Sequence, residues 1–255
     1  MKDLFSVAGK VALVTGGSRG IGRMIAHGLV ANGVRTYLTA RKAEACQQTA
    51  AELSREGECI ALPADLAKRE ERARLVAELS AREPRLHILV NNAGANWGAP
   101  LAEFPESGWD KVFDVNLKAV FFLTRDLVPL LEQAGTAEDP ARVVNIGSID
   151  GLHVPLLDTF SYSSAKAALH HLTRVLARKL APRVTVNAIA PGPFESQMMK
   201  ATLDRFGDSI RSSNPRGRIG EPEDMAGTTI FLCSRAAAYV TGAVIPVDGG
   251  ISTCL

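Results

Sequence analysis

Tyr162 and Lys166 stand four residues apart in Tyr162-Ser163-Ser164-Ala165-Lys166, a spacing that puts a phenol and an ammonium on one face of a helix. A free tyrosine has a pKa of about 10, so using it as an acid or base near neutral pH takes about 4 kcal/mol of preferential stabilisation of the phenolate. A nearby cation acts in that direction. The pair therefore predicts proton transfer by Tyr162. A bare Y-x-x-x-K is also a common surface pair on amphipathic helices, so its meaning depends on what the rest of the chain provides.

A second chemical signal lies near the N-terminus. Thr15-Gly16-Gly17-Ser18-Arg19-Gly20-Ile21-Gly22 follows a β-branched run and opens a helical segment. Glycines at such a junction let the chain turn tightly and let a pyrophosphate approach the N–H groups at the positive end of a helix. The spacing is G-x-x-x-G-x-G rather than G-x-G-x-x-G. After a first parallel strand it still favours a dinucleotide over a plain turn. A cofactor with a free ribose 2′-OH would want an acidic residue about twenty positions further on, where this chain has Thr39-Ala40-Arg41-Lys42. Arg41 and Arg19 could instead grip a 2′-phosphate through charge-assisted hydrogen bonds, which favours NADP(H) over NAD(H). Solvated arginines are the alternative. Asp65-Leu66 ends a third strand where a side chain could meet an adenine edge. Asn91-Asn92-Ala93-Gly94 ends a fourth and leaves backbone room beside a cofactor.

The elements that must hold these groups alternate regularly. Strands are expected at 11–15, 34–39, 59–63 and 88–91, with helices at 21–31, 43–55 and 67–82 between them. The second half continues with strands at 142–146, 184–189 and 243–247, a helix at 160–180 and a buried helix around 119–131. Such alternation implies right-handed crossovers and a parallel sheet covered on both faces. The expected fold class is α/β, a single-domain doubly wound (Rossmann) sheet over residues 1–255, dinucleotide-binding and catalytic at once. Residues 194–218 fall outside the alternation and are expected to be a substrate-loop insertion.

Composition narrows the function classes. The 255 residues are 46% hydrophobic and 22% charged, with a formal net charge of +2 and scattered Lys and Arg, which gives no reason to expect nucleic acid or an anionic membrane as partner. Cys46, Cys59, Cys233 and Cys254 lie far apart without a C-x-x-C, suiting free thiols in a reducing cytoplasm. The histidines lack ligand spacing, and adjacent His170 and His171 point in different directions on a helix, so no metal site is expected. No targeting segment or membrane span is expected either.

Taken in chain order, the glycine pattern of Thr15 to Gly22, Asn91-Asn92-Ala93-Gly94, Asn116, Ser148, Tyr162 with Lys166, and Pro191-Gly192 resemble the signature set of the short-chain dehydrogenase/reductase family, over about residues 9–250. Asn187 to Gly192, Gly217 to Asp224 and Val247-Asp248-Gly249-Gly250 further resemble the subgroup containing 3-oxoacyl-carrier-protein reductases and many polyol and ketone reductases. The resemblance implies a catalytic set of Asn116, Ser148, Tyr162 and Lys166. Tyr162 would protonate a carbonyl oxygen as hydride arrives from the nicotinamide. Lys166 would lower the tyrosine pKa and hold the nicotinamide ribose. Ser148 would hydrogen-bond the substrate oxygen, and Asn116 would position a water linking Lys166 to solvent. The blander readings are that Ser148 caps a turn and that Asn116 bonds backbone within its helix.

The cofactor-binding set expected for NADP(H) is Gly16, Ser18, Arg19, Gly20, Ile21, Gly22, Arg41, Asp65, Leu66, Asn92, Ala93, Gly94, Tyr162, Lys166, Pro191, Gly192 and Ser196. Phe194-Glu195-Ser196 follows Pro191-Gly192-Pro193 where many relatives carry a threonine at the third position, and Ser196 keeps the hydroxyl that could meet the nicotinamide amide. Asn96-Trp97 is less usual, and Trp97 either floors a pocket or packs under a loop. Leu152, Val154, Pro155, Leu156, Leu157, Met198, Met199 and Leu203 give the loops around the strand ends an apolar lining. They suit a ketone on an apolar chain, with 3-oxoacyl thioesters first and polyols or cyclic and aromatic ketones as alternatives. An NADP(H)-sensing protein without chemistry would have no reason to keep Ser148, Tyr162 and Lys166 together. A homotetramer or homodimer is implied by the resemblance alone.

Overall fold

The computed structural model describes residues 3–197 and 199–254. Along the chain run β1 (Val11–Thr15), α1 (Gly20–Ala31), β2 (Arg35–Thr39), α2 (Ala43–Leu53), β3 (Cys59–Ala61), α3 (Arg69–Arg82) and β4 (Ile88–Asn91). There follow α4 (Glu106–Phe113), a π-helical turn (Asp114–Lys118), α5 (Ala119–Ala134), β5 (Ala141–Ile146) and α6 (Phe160–Leu180). The chain ends with β6 (Val184–Pro191), α7 (Lys200–Ser213), α8 (Pro222–Cys233), β7 (Val244–Val247) and α9 (Ile251–Cys254). The strands form one parallel sheet in the order β3-β2-β1-β4-β5-β6-β7. The order reverses between β1 and β4, and the crevice at that reversal is where open α/β sheets receive ligands.

Strand alternation divides the core in two. Ala12 and Val14 of β1 face α1 and α8, packing with Ile25, Leu29, Met225 and Leu232. Leu13 faces the other way, onto Leu75 and Leu79 of α3 and Leu123, Leu127 and Leu131 of α5. Each fully buried leucine contributes about 2 kcal/mol. α1 and α8 approach closely because Gly28 meets Ala226: a Cβ at Gly28 would lie 2.5 Å from the Ala226 Cβ.

Buried polar groups set the register of the central strands. Asn91 Nδ2 donates to Asn145 Oδ1 at 2.9 Å and to Thr124 Oγ1 at 3.1 Å, and Asn145 Nδ2 donates to Thr173 Oγ1 at 2.9 Å. A slip of one residue would break every link and leave buried amides without partners.

The expected fold class is the observed one, and β1, β4 and α6 have the expected bounds. The 194–218 stretch is not a plain loop, since it contains the whole of α7. No helix among the described residues is long and apolar enough to cross a membrane.

Candidate active site

The glycine turn leaves β1 at Thr15 and enters α1. Gly16 (φ +65°) and Gly20 (φ +51°) occupy the left-handed region that favours glycine. At Gly22 a Cβ would fall 2.3 Å from both Asn92 Nδ2 and the Gly16 carbonyl oxygen. Only a hydrogen fits there. Asn92 and Ala93 donate their N–H groups to Thr15 Oγ1 at 2.9 Å each, and Asn92 Nδ2 donates to the Thr15 carbonyl at 2.8 Å. The ends of β1 and β4 are thus stitched together at the crevice.

α1 begins with Arg19 at its N-cap, makes no side-chain cap and has no acidic residue in its first turn. Its first N–H groups point into the turn at the positive end of the helix dipole, which suits a pyrophosphate. The uncapped helix and the Cβ-free cradle together fit a dinucleotide. Thr49 Oγ1 donates to the Ser18 carbonyl at 3.1 Å and ties the turn to α2, while Ile21 packs onto the core. Arg41 is exposed just beyond β2. Arg19 is exposed as well, and its Nη1 donates to Gln197 Oε1. Both guanidinium groups lie at the surface. Asp65 is half-buried and Leu66 buried. On the opposite side, Pro191 ends β6, and a Cβ on Gly192 would come within 2.6 Å of the Asp248 Cβ. Ser196 stands over the glycine turn, its Cβ 3.2 Å from where a Gly20 Cβ would be.

Lys166 is buried on α6 and its Nζ donates to the Ile146 carbonyl at the end of β5, at 2.7 Å. Ser148 follows β5 directly. Its Oγ accepts from Asp150 N at 3.1 Å, capping the short 3-10 turn Ile149–Gly151, and Ser148 is the neighbour that pulls the Tyr162 phenol down. Ser148 is therefore both a turn cap and a polar neighbour of the phenol. Asn116 sits in the π-helical turn, a local distortion often found at functional sites. Its Oδ1 accepts from Ala95 N at 2.8 Å and its Nδ2 donates to Ala95 O at 2.9 Å. It thus holds the loop after Gly94 rather than its own helix. A Cβ at Gly94 would lie 3.2 Å from Asn116 Oδ1 and 3.9 Å from Lys166 Nζ, so Asn116 and Lys166 meet around that glycine.

The electrostatics correct one expectation. Tyr162 is not shifted down. Burial pushes it up to about 12, the Asp150 charge adds to the rise, and the Ser148 hydrogen bond opposes it. Lys166 sits 5.5 Å from the centroid of the Tyr162 ring, and burial lowers its own pKa to about 8 against the pull of Asp150. Losing water around a phenolate outweighs what the neighbouring groups return. In the chain alone, Tyr162 at pH 7 is a neutral phenol, a proton donor.

The apolar lining is unevenly placed. Leu152, Val154, Leu156 and Leu157 are exposed on the loop between Ser148 and α6, and Phe206 is exposed on α7. Met199 and Leu203 are partly buried, and Met198 lies outside the described residues. Trp97 packs on α4: a Cβ at Gly108 would be 2.7 Å from its Cγ, and Lys111 Nζ lies 5.1 Å from its ring centroid.

Two ionisable neighbours carry roles the sequence did not assign: Asp150 was expected only as a polar group among the substrate-side loops, and His170 not at all. Asp150, whose carboxyl burial holds above the usual range, acts on both Tyr162 and Lys166. His170 is buried one turn beyond Lys166, and neither ring nitrogen has a hydrogen-bond partner among the described residues. Burial pulls it down to about 4. The spacing of Tyr162, Lys166 and His170 at i, i+4 and i+8 was the available signal for the histidine.

A family model described as Enoyl-(Acyl carrier protein) reductase matches residues 16–252. The chain is 49% identical over 253 residues to the rhamnolipids biosynthesis 3-oxoacyl-[acyl-carrier-protein] reductase of Pseudomonas aeruginosa, covering 98% of this chain and 99% of that protein. It is 33% identical to the 5-keto-D-gluconate 5-reductase of Escherichia coli K12, covering 98% of each. The structure described as the Pseudomonas aeruginosa RhlG/NADP active-site complex superposes with a TM-score of 0.95 at 48% identity, over 99% of this chain and all of that one. With the glycine cradle, the Ser148, Tyr162 and Lys166 constellation and these likenesses spanning its length, the chain belongs to the short-chain dehydrogenase/reductase family of oxidoreductases.

Proposed function

We propose that this chain is an NADPH-dependent reductase of a ketone to a secondary alcohol, with 3-oxoacyl thioesters as the preferred substrate class. The observation that carries the reaction is the neutral, half-buried Tyr162 with Ser148 as its polar neighbour and the buried Lys166 ammonium 5.5 Å from its ring centroid. Bound NADPH supplies the hydride. Ser148 orients the carbonyl oxygen by a hydrogen bond that strengthens as negative charge develops there. Tyr162 donates its proton to that oxygen and becomes a phenolate. The Lys166 ammonium, mostly charged below about pH 8, offsets the new charge. Asn116 fixes the loop behind Gly94, so that the cofactor-side backbone and Lys166 keep their spacing.

The cofactor set is the one named from the sequence, with Arg19 and Arg41 at the 2′-phosphate. The relative whose structure is described as an NADP complex supports that choice. The exposed aliphatic residues between Ser148 and Tyr162 support an apolar substrate chain, at about 0.8 kcal/mol per buried methylene, and the relative named as a 3-oxoacyl reductase supports the thioester. The buried free thiols Cys46, Cys59 and Cys233 suit a reducing cytoplasm. A homotetramer or homodimer completes the reading, with residues 194–218 as the substrate-side segment of the single domain.

A keto-sugar is the second reading, favoured by the relative named as a 5-ketogluconate reductase. The test is kcat/KM with NADPH across 3-oxoacyl thioesters of increasing chain length, beside 5-keto-D-gluconate. Rising efficiency with chain length is expected. A flat response together with faster turnover of the keto-sugar would reverse the order.

A further inference from the structure

The segment leaving β3 is held by charged side chains whose arrangement serves neither strand pairing nor the core. Leu62 N donates to Leu38 O at 2.8 Å and Ala64 N to Ala40 O at 3.1 Å, so the segment follows β2 as far as the residue before Arg41. There the sheet bonds stop. Asp65 N instead donates to Glu71 Oε2 at 2.9 Å, Arg72 Nη1 donates to the Leu66 carbonyl at 2.5 Å, and Arg74 Nη2 donates to the Pro63 carbonyl at 2.6 Å. Three residues at the start of α3 thus clamp the backbone of residues 63–66.

Arg72 is the unusual member. Its side chain is 6% exposed, and among the described residues it has no carboxylate partner. Its guanidinium carbon lies 5.8 Å from the Phe122 ring centroid on α5. Burying an unpaired cation is a poor device for stability. It does fix the Leu66 carbonyl. The clamp also decides which polar atoms of the turn stay free. Asp65 Oδ1 accepts from Ala67 N at 3.2 Å, leaving Oδ2 open, and the Leu66 N–H has no acceptor among the described residues. An open carboxylate oxygen next to an open N–H matches the amino donor and ring-nitrogen acceptor of an adenine edge.

We propose that Glu71 and Arg72 are positioning residues for the Asp65-Leu66 turn and set the affinity of the adenosine half of NADP(H). The inference rests on the cofactor reading above. Glu71 is the informative position, because it lies near the surface and its removal leaves the core intact. The Asp65 N–H is the first cause of its lowered carboxyl pKa, so the clamp is fully formed at neutral pH.

The experiment titrates the full-length protein with adenosine 2′,5′-bisphosphate by calorimetry and with NADPH by fluorescence, for wild type, Glu71→Ala, Glu71→Gln and Arg72→Met. Glu71→Ala should weaken the bisphosphate about fivefold to tenfold, the net worth of one ordinary hydrogen bond. The loss should appear in KM for NADPH rather than in kcat. Glu71→Gln, whose amide oxygen still accepts, should restore most of the affinity. Arg72→Met should show a larger loss together with a lower Tm. Unchanged bisphosphate affinity in folded Glu71→Ala, or a loss confined to kcat, would overturn the proposal while leaving the cofactor reading in place. Wild-type protein that binds neither probe would overturn the cofactor reading itself, and this inference with it.

Discussion

At the scale of single residues, the direction of the Tyr162 shift decides what the site does at neutral pH. A phenol held up to about 12 is protonated at neutral pH, so it is ready to protonate a carbonyl oxygen and poorly prepared to accept a proton. Alcohol oxidation needs the phenolate, and its rate should rise about tenfold per pH unit between pH 7 and 9. Ketone reduction should instead lose rate as Lys166 loses its charge near pH 8. The sign for stability differs. Because burial lowers Lys166 below its ordinary 10.5, the unfolded chain binds more protons between about pH 8 and 10.5, and this group's penalty on folding eases as pH rises through that window. Tyr162→Phe should lower kcat by roughly 10²-fold to 10⁴-fold with NADPH fluorescence binding intact. Retention of most of the reductase rate in that variant would require another proton donor. Residue spacing made the pair legible, because i, i+4 is a property of any helix. It could not supply the sign of the shift, which depends on burial.

At the scale of elements, α6 and the turn after β5 are fitted to each other through one ring. His170 lies under that turn, and a Cβ on Gly147 would fall 2.1 Å from its Nε2, while one on Gly151 would fall 2.9 Å from its Cε1. The two glycines flank Ser148-Ile149-Asp150, so the ring sets the height of the Ser148 hydroxyl above α6. Gly147→Ala should cut kcat/KM by about 10²-fold, the cost of moving a reacting group by about 1 Å. His170→Ala should recover part of that loss in the double variant. Strict additivity in this double-mutant cycle would mean that the ring and the turn are uncoupled. Such a fit is invisible in sequence, where Gly147 reads only as a small residue before Ser148. The first four strands and α6 were legible because β-branched runs and helical periodicity are local. α7 was missed although Leu203, Phe206 and Ile210 stand at the helical spacing i, i+3 and i+7, because Gly207 and the serines at 209, 212 and 213 are weak helix formers. α8 hid behind the Gly217 to Asp224 motif. Yet Pro222 at its start and the reciprocal Glu221 and Asp224 cap are sequence-level signals of a helix N-terminus.

At the scale of the whole molecule, the helices that carry the site turn an unfinished face outward. Phe113, Leu117 and Phe121 from α4 to α5, with Ala168, Leu172 and Val175 from α6, line an open groove of about 470 Å³, rimmed by Asp114, Lys118 and His171. Val175 is 52% exposed and Phe121 38%. A contiguous apolar face on a formal charge of only +2 favours self-association over solubility as a monomer. A second copy related by a two-fold axis would lay α5 and α6 against the same pair and cover both faces at once. The inner faces of this layer hold Asn116, Tyr162 and Lys166, so covering the outer faces would also stiffen the site. Sedimentation velocity should therefore give a mass at least twice the 27.2 kDa of one chain. Phe121→Glu combined with Val175→Glu should shift the protein toward smaller species and lower kcat/KM together with the fraction assembled. A monomeric wild type at micromolar concentration would refute the assembly. Variants that stay fully assembled would place the interface on another face, and dissociated variants with full activity would show that α5 and α6 hold the catalytic geometry without a partner.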